Sequence, residues 1–337
     1  MFNNRVEELR AALSGVSRVL ILPHNDPDPD AIASALGLSY FLAEKFQLES
    51  GIIYKGFIGR AENRALVKYL GEPLFRLQKG SIQAGEAVAL VDTQPGAGNN
   101  PLPEGHTPAI VIDHHSLAAG TGSALYADVR PELGSTSTIL VEYLKDAEIE
   151  LPTHLATALF YGIKSDTKGL SRNTKSDDVS AYFYLQTRID VNALAGIEQA
   201  QVPLAYFKSL DNAIHAAKIY DKEILTAYLG ELTYPDQCAE IADLLMRLRG
   251  INWVFCMGVF NKEFILSVRT LSRMKGAGKL VRDILKDKGA AGGHGMMAAG
   301  HIELKVGDDP GQIAAILEVD ILRHLKGTAD IPYIAMM

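Results

Sequence analysis

The segment that decides the fold is "ILPHNDPDPDAIASALGL", residues 21–38. It connects an apolar run, "SRVLILP" at residues 17–23, to "DAIASALGLSYFLAEKF" at residues 30–46, where apolar side chains recur at helical spacing. The run predicts a buried strand, and the spacing predicts a helix. The turn between them carries His24 and three aspartates. Carboxylates this close repel one another, so the turn needs a source of positive charge.

Two interpretations of this turn stay open. Asp28 and Asp30 are two residues apart and, in an extended segment, project toward the same side, where one divalent cation can hold both. Pro27 and Pro29 restrict the backbone around them. Alternatively, the turn is an Asx–Pro loop that caps the helix and leaves Asp26 and its neighbours in solvent.

Three further segments end in acidic or imidazole side chains. The apolar runs "EAVALVDT" (residues 86–93, with Asp92) and "PAIVIDHH" (residues 108–115) predict buried strands, and "LPTHLATALFYGIKSDT" (residues 151–167) predicts a helix that runs out into Asp166. Strands that alternate with helices predict a parallel α/β sheet, in which ligands bind at the carboxyl ends of the strands. We therefore expect these segments to converge at one edge of the sheet.

The pattern changes from about residue 190. A long helical segment is followed by "EILTAYLG", "NWVFCMGVF" and "EFILSVRT", which predict strands, and by the glycine-rich turn "AAGGHGMMAAG". The "NK" between the last two strands is typical of a tight hairpin. We predict an α/β domain with a parallel sheet at residues 1–190, a helical linker at residues 191–222, and a smaller α+β domain at residues 223–337.

Composition limits the possible partners and locations. The chain has 337 residues and a formal net charge of −7, which disfavours a large duplex-binding face but allows a short anionic substrate. Cys238 and Cys256 lack a paired-ligand spacing and are predicted to be core thiols in a reducing compartment. The N-terminus lacks the apolar core of a signal peptide, and no apolar run reaches the roughly 18 residues of a membrane span. We expect a cytoplasmic protein.

The order of the motifs is similar to that of a known family. "HNDPDPDA", "VDT", "IDHH", "GIKSDT" and "GGHGMMAAG" resemble the motifs of DHH phosphoesterases that carry a DHH-associated C-terminal domain. These include the oligoribonuclease/phosphoadenosine-phosphate (pAp) phosphatases, called nanoRNases, and more distantly the RecJ-like exonucleases. Manganese-dependent inorganic pyrophosphatases and some exopolyphosphatases share the N-terminal domain. The resemblance covers nearly the whole chain.

The resemblance implies two adjacent divalent cations, most readily Mn²⁺, with Mg²⁺ or others as alternatives. It assigns one cation to His24, Asp28 and Asp92, and the other to Asp30, Asp92, His114 and Asp166, with Asp92 bridging. It implies that His115 contacts the substrate phosphate or stabilises the negative charge of the transition state. Asp113 is expected to orient a histidine, and Asp26 does not occupy a ligand position.

Residues implied to contact the substrate lie in both halves of the chain. After Asp166 the family usually carries Arg-Phe, whereas this chain has "KGLSRNTKSDD", so we expect Arg172 to replace the basic contact. In the second half, Arg269 ends a predicted strand and suits a terminal phosphate. The glycine-rich segment is implied to bring backbone amides and one imidazole to the substrate, through Gly292, Gly293 and His294.

The resemblance implies a manganese-dependent hydrolase. Its expected substrates are phosphodiester or phosphomonoester bonds of short oligoribonucleotides (nanoRNA) and pAp, attacked by a water activated between two metals. Hydrolysis of pyrophosphate or polyphosphate is the alternative, because those enzymes share the N-terminal motifs. A non-catalytic nucleotide sensor is a further alternative, although the six expected metal ligands are all present. The family implies a possible homodimer, and neither duplex DNA nor a membrane is an expected partner.

Overall fold

The structure is a computed structural model that describes residues 2–78, 80–83, 85–272 and 276–337, apart from the side chains of residues 2–4 and of His294. The chain divides into two compact units, Met1–Ala200 and Gln201–Met337. The predicted helical linker, residues 191–222, spans this division, and its bounds remain a prediction.

The first unit is built, within its described residues, on a six-stranded parallel sheet. Its strands are β1 (Arg18–Pro23), β2 (Glu49–Tyr54), β3 (Leu74–Arg76), β4 (Ala87–Val91), β5 (Ile110–Asp113) and β6 (Tyr126–Val129). They lie in the order β3-β2-β1-β4-β5-β6, so the strand order reverses between β1 and β4. Ligands of open parallel sheets bind outside the carboxyl ends of the strands at such a reversal. The predicted α/β class is confirmed.

Helices cover this sheet and continue the chain after it. They are α1 (Phe2–Ala12), α2 (Pro29–Phe46), α3 (Ala61–Tyr69), α4 (Thr136–Asp146), α5 (Thr153–Asp166), α6 (Ser176–Gln186) and α7 (Val191–Glu198), with a short 3₁₀ turn at Thr121–Ser123. The predicted helix of residues 30–46 is α2, and the predicted helix that runs out into Asp166 is α5. The last residue of α5 is Asp166 itself.

Strand β1 shows why its sequence is continuously apolar. Val19 and Ile21 pack in one hydrophobic cluster, together with residues of α2, α4 and α5. Leu20 and Leu22 pack in a second cluster with residues of β4 and β5. Both faces of the strand are therefore buried, as in parallel sheets with two covered faces. This burial fixes β1 in the sheet and thereby fixes the turn that follows it.

The second unit holds, in the part that is described, a seven-stranded mixed sheet in the order β11-β12-β10-β9-β8-β7-β13. Its strands are β7 (Lys218–Tyr220), β8 (Ile224–Glu231), β9 (Trp253–Phe260), β10 (Glu263–Thr270), β11 (Ala290–His294), β12 (Met297–Glu303) and β13 (Tyr333–Ala335). Its helices are α8 (Leu204–Ala216), α9 (Gln237–Leu245), α10 (Ala277–Leu285) and α11 (Pro310–Lys326). Strands β8 and β9 run parallel and the other neighbours antiparallel. The predicted second, mixed domain is confirmed.

Two local predictions for this unit are also confirmed. Asn261 and Lys262 connect β9 to β10 with φ of 47° and 69°, the left-handed geometry of a two-residue hairpin turn. Cys238 and Cys256 are buried free thiols. Burial raises the pKa of both, that of Cys256 to about 12, so neither thiol is reactive at neutral pH.

The predicted glycine-rich turn needs a correction. Residues 290–294 form strand β11 at the edge of the sheet, paired antiparallel with β12. The turn is confined to Gly295 and Met296, because Gly293 pairs with Ala298 in the ladder. Glycine suits that pairing, since a Cβ on Gly293 would lie 2.4 Å from the Cα of Ala298. The glycines here allow the backbones of β11 and β12 to approach closely, and they do not form a flexible loop.

Across the residues that the structure covers, every helix is too short or too polar to cross a bilayer.

Candidate metal centre

The centre of the site lies at the reversal of strand order. His24 directly follows β1, and Asp92 directly follows β4. Asp92 adopts a left-handed backbone conformation, with φ of 60°, and its N–H donates to the carbonyl of Ile112 at 3.0 Å. Its side chain is 2% exposed. An unusual φ at a buried aspartate is typical of a functional position held in place by its surroundings.

Asp92 and six other side chains bring their potential ligand atoms close together. Among the described residues they form three groups in which all ligand atoms lie within 4.8 Å of one another: His24, Asp28 and Asp92; Asp30, His114 and Asp166; and Asp92, His114 and His115. The six predicted metal ligands all belong to these groups, and so does His115, which was predicted to contact the substrate. The groups overlap at Asp92 and His114, so they form one continuous cluster.

Asp92 connects the cluster through both of its oxygens. Its Oδ2 lies 3.4 Å from His24 Nε2, and its Oδ1 lies 3.5 Å from His114 Nε2. His24 Nε2 also lies 3.6 Å from Asp28 Oδ1, and His114 Nε2 lies 3.3 Å from Asp166 Oδ2. One carboxylate therefore faces two separate histidine–aspartate pairs, as expected of a bridging ligand.

Backbone carbonyls orient both histidines. His24 Nδ1 lies 2.8 Å from the carbonyl oxygen of Asn25, and His114 Nδ1 lies 3.2 Å from that of Leu133. A carbonyl only accepts, so each Nδ1 carries the proton and each Nε2 faces the carboxylates. His114 Nε2 is buried and lacks a hydrogen-bond partner among the described residues. A buried imidazole lone pair among carboxylates fits a cation, and these donors are ones that Mn²⁺ accepts.

Asp28 fits both interpretations of the acidic turn, helix capping and metal ligation. Its side chain accepts from the N–H of Ala31 at 3.0 Å and caps α2, with Pro29 in the first helical turn. The same Oδ1 lies beside His24. Capping and ligation are compatible, because a carboxylate oxygen has two lone pairs.

Asp30 is held by the first turn of α4. Its Oδ2 accepts from the N–H of Thr136 at 2.7 Å, and its Oδ1 accepts from the N–H of Ser137 at 2.9 Å. The partial positive charge of a helix N-terminus stabilises such a carboxylate. Gly162 of α5 makes room for this contact, because a Cβ there would lie 2.4 Å from Ser137 Oγ and 3.1 Å from Asp30 Oδ1.

Asp26 fixes the turn at its start. It has a left-handed φ of 54°, its N–H donates to the carbonyl of Lys55 at 2.9 Å, and its Oδ1 accepts from the N–H of Phe57 at 2.6 Å. Gly56 allows this approach, since a Cβ there would lie 2.3 Å from Asp26 Oδ1. Asp26 therefore ties the turn after β1 to the end of β2.

The charges of the cluster shift its pKa values in opposite directions. Burial, followed by the charges of Asp92 and Asp166, raises the pKa of Asp30 well above its usual value. Burial also raises the pKa of Asp92, but the hydrogen bond from His24 and the nearby imidazoles outweigh it and lower that pKa. Burial lowers the pKa of His24 and His114, yet their carboxylate neighbours raise both well above 6.5. Without a metal, the raised pKa values favour protonated His24, Asp30 and His114, and these protons reduce the repulsion among the carboxylates.

His115 is oriented by a separate pair of side chains. Its Nδ1 lies 2.8 Å from Asp113 Oδ1, and Gln94 Nε2 donates to Asp113 Oδ2 at 2.6 Å. Burial lowers the pKa of His115, but the hydrogen bond to Asp113 and the charge of Asp92 raise it overall. The His115 side chain is 37% exposed, so this imidazole borders the cluster and is open to solvent.

The predicted substrate contacts have other partners in the structure. In the first unit, Arg172 donates through Nε and Nη2 to the carbonyl of Asp166, at 3.0 and 2.6 Å. In the second unit, Arg269 is largely buried and pairs with Asp243 at 2.6 Å. Gly292 is exposed on β11, and the side chain of His294 lies outside the described residues. The substrate roles of Arg172, Arg269, Gly292, Gly293 and His294 remain predictions.

Several supporting residues carried no recognisable sequence signal. Thr136 Oγ1 donates to Asp92 Oδ1 at 2.8 Å. Asp178 is fully buried and accepts from the N–H of Gly134 and from Thr138 Oγ1. Gln94 lies close to Asp92 in sequence, but its partner Asp113 is a full strand away. Only the helix-capping pattern around Thr136 could have pointed to the first of these contacts.

Comparison with known proteins agrees with this site. Residues 18–163 match the DHH family, N-terminal domain. An uncharacterized protein of Methanocaldococcus jannaschii is 37% identical over 91% of this chain, and the chain covers 61% of that protein's length. A probable manganese-dependent inorganic pyrophosphatase of Lactiplantibacillus plantarum is 28% identical over 74% of this chain and 76% of that protein.

A solved structure also shares the fold. An exopolyphosphatase-related protein from Bacteroides fragilis superimposes with a TM-score of 0.74 over 96% of both chains, at 14% sequence identity. Residues 18–163, which lie in the first unit, therefore match a DHH-family N-terminal domain. The predicted family is confirmed. The cluster around Asp92 is able to bind metal ions, and manganese is the metal named for the pyrophosphatase relatives.

Proposed function

We propose that this chain is a metal-dependent phosphohydrolase that cleaves short oligoribonucleotides and pAp, with two manganese ions as its cofactors. The observation that carries the proposal is the position of Asp92, whose two oxygens face His24 and His114 at 3.4 and 3.5 Å. His24 and Asp28 would hold one cation, and Asp30, His114 and Asp166 the other. A pair of bound cations would supply charge neutralisation for a phosphoryl group and acidify an attacking water.

The chain's own residues supply orientation and further positive charge. The carbonyl contacts of His24 and His114 keep both Nε2 atoms turned toward the cluster. His115, whose pKa is raised, lies 3.6 Å from Asp92 through Nδ1 and would donate to a phosphoryl oxygen bound at the cluster. A preorganised cation of this kind stabilises charge that develops in the transition state. Asp113 holds its orientation through Nδ1.

Two substrate classes compete for this site. Pyrophosphate or polyphosphate hydrolysis is supported by the similarity of the chain to probable manganese-dependent inorganic pyrophosphatases. Short RNA and pAp are supported by the resemblance of the motif order, from "HNDPDPDA" to "GGHGMMAAG". A sensor without catalysis is the weakest alternative, because the expected ligand side chains converge. Cytoplasmic location and a homodimer belong to the same proposal.

A substrate panel tests the proposal. Purified protein with Mn²⁺ is offered RNA dinucleotides to pentamers, pAp, pyrophosphate and polyphosphate, and the release of mononucleotide and phosphate is measured. Asp92→Asn should abolish turnover, whereas Asp146→Asn, an exposed aspartate at the end of α4, should not change it. Turnover of the RNAs and pAp supports the nucleotide proposal. Turnover restricted to pyrophosphate or polyphosphate would replace it by the alternative, and no turnover at all would contradict both.

A further inference from the structure

A second feature of the first unit lies beside the metal cluster and has no assigned role. It is an open cavity of about 400 Å³ at the carboxyl ends of β2 and β3 and along α3. Its lining includes Tyr54, Phe57, Arg64, Val67, Lys68 and Arg76. The volume falls in the range of small-molecule sites.

The charge of this cavity is opposite to that of the chain. The lining contains three cations, Arg64, Lys68 and Arg76, and one carboxylate, Glu72, whereas the whole chain has a net charge of −7. Clustered cations raise the local concentration of an anionic ligand. Guanidinium groups also match the geometry of phosphate oxygens. The cavity is therefore suited to a phosphate-bearing ligand.

An aromatic surface accompanies these cations. Phe57 is half-buried in the lining, and the guanidinium carbon of Arg76 lies 5.6 Å from the centre of its ring. Aromatic faces and guanidinium planes are the surfaces on which proteins stack unpaired bases. Inorganic phosphate chains have no group that uses such a surface. The combination favours a ligand with both a phosphate and a base.

The cavity and the metal cluster share one edge of the sheet. Strands β1 and β2 are parallel neighbours, about 4.8 Å apart. The N–H of Phe57 donates to Asp26 at 2.6 Å, and Asp26 is two residues from both His24 and Asp28. Two residues of chain span at most about 7 Å. The Phe57 end of the cavity therefore lies beside the turn that carries the first group of metal ligands.

We propose that this cavity is a subsite for a nucleoside phosphate, with the base against Phe57 and the phosphate among Arg64, Lys68 and Arg76. The inference rests on the proposed function, because it gives one nucleotide of a short RNA a place beside the cluster. It also adds a physical reason for the chain to prefer nucleotides to pyrophosphate.

Binding of AMP to the full chain tests the subsite, measured by titration calorimetry both with Mn²⁺ and with a chelator. Phe57→Leu removes the ring face, and Arg76→Gln removes one exposed cation. Each should weaken AMP binding by roughly tenfold under both conditions, and each should raise the KM for an RNA dinucleotide. Lys45→Gln, an exposed lysine on α2, should change neither. Thermal melts establish that the variants are folded.

The outcomes separate this inference from the proposed function. AMP should bind more tightly than adenosine or inorganic phosphate, since the subsite uses both parts of the nucleotide. Unchanged AMP affinity in both variants, or AMP binding that disappears with the chelator, would overturn the subsite even if RNA dinucleotides are hydrolysed. Absence of hydrolysis on every substrate, with AMP binding that depends on Phe57 and Arg76, would overturn the proposed activity and support the subsite.

Discussion

Asp92 Oδ1 and His114 Nε2 lie 3.5 Å apart at the ends of neighbouring strands, and this separation is characteristic of two ligands of one cation. It is longer than the usual N–H···O hydrogen bond of about 2.7–3.2 Å. Two ligands at about 2.1 Å from a shared metal, at angles near 90–110°, lie roughly 3.0–3.5 Å apart. The same argument applies to His24 and Asp92, at 3.4 Å. The protein thus holds these side chains at metal-binding spacing through its own backbone contacts.

Metal binding should release protons. The pKa values of His24 and His114 are raised by their carboxylate neighbours, so both imidazoles are largely protonated near neutral pH when no metal is bound. Mn²⁺ requires the neutral form. Its apparent affinity should therefore rise with pH from the ordinary histidine value of about 6.5 up through the raised pKa values of His24 and His114. Calorimetry in buffers of different ionisation enthalpy measures the released protons directly, and a buffer-independent enthalpy would contradict the prediction.

The same pKa shifts predict how pH affects the stability of the metal-free protein. A raised histidine pKa stabilises the fold fully below the unfolded value of about 6.5 and loses this effect as pH rises through the folded value. The raised pKa of Asp30 acts in the same direction. In chelator the free energy of unfolding should fall as pH rises above the unfolded histidine value of about 6.5, and this fall should be smaller in saturating Mn²⁺. Urea denaturation at several pH values measures both.

Gly162 should be intolerant of a larger side chain. The Cβ of Gly162→Ala would lie 2.4 Å from Ser137 Oγ and 3.1 Å from Asp30 Oδ1, so Asp30 and α4 must shift. Overpacking of this kind costs about 1–3 kcal/mol, and Mn²⁺ affinity should fall with it. Gly196→Ala in α7 is the matched control, because no atom lies within 4 Å of its Cβ. Equal melting temperatures and Mn²⁺ affinities for the two variants would show that the contact at Gly162 is unimportant.

Asp113 should act through His115. The hydrogen bond to Asp113 raises the pKa of His115, so Asp113→Asn should lower it. If the cationic form assists the reaction, activity falls as pH rises through this pKa, and the variant should lose activity at a lower pH than the parent. The Gln94 contact can persist because an amide oxygen also accepts. A pH–rate profile and the imidazole signals in NMR spectra test this. A profile that only scales down, without moving, would indicate a purely structural role.

Much of the first unit was predictable because burial imposes strong patterns on the sequence. Strand β1 is apolar throughout since both of its faces are covered, and the acidic turn follows it directly. The parallel sheet then brings distant strand ends such as Asp92 and His114 to one edge. In the second unit, the two turn residues Asn261 and Lys262 between apolar strands predicted the hairpin.

The contacts that refine the site were not predictable for a different reason. Asp30 accepts from Thr136, 106 residues away along the chain, and no local pattern encodes such a pairing. The left-handed φ of Asp92 is likewise set by the fold: aspartate adopts this conformation more readily than most residues, but nothing in the local sequence requires it here. Strand β11 was mistaken for a turn because glycine weakens the local strand signal, while pairing with β12 supplies the tertiary context.

Metal stoichiometry tests the central claim most directly. Protein stripped with a chelator is dialysed against Mn²⁺, and bound manganese per chain is measured by elemental analysis, together with electron paramagnetic resonance to detect coupled ions. We predict two manganese ions per chain that are magnetically coupled, and at most one in Asp92→Asn, with two retained in Asp146→Asn. Two independent ions, or two ions whose binding does not depend on Asp92, would contradict a centre bridged by this carboxylate.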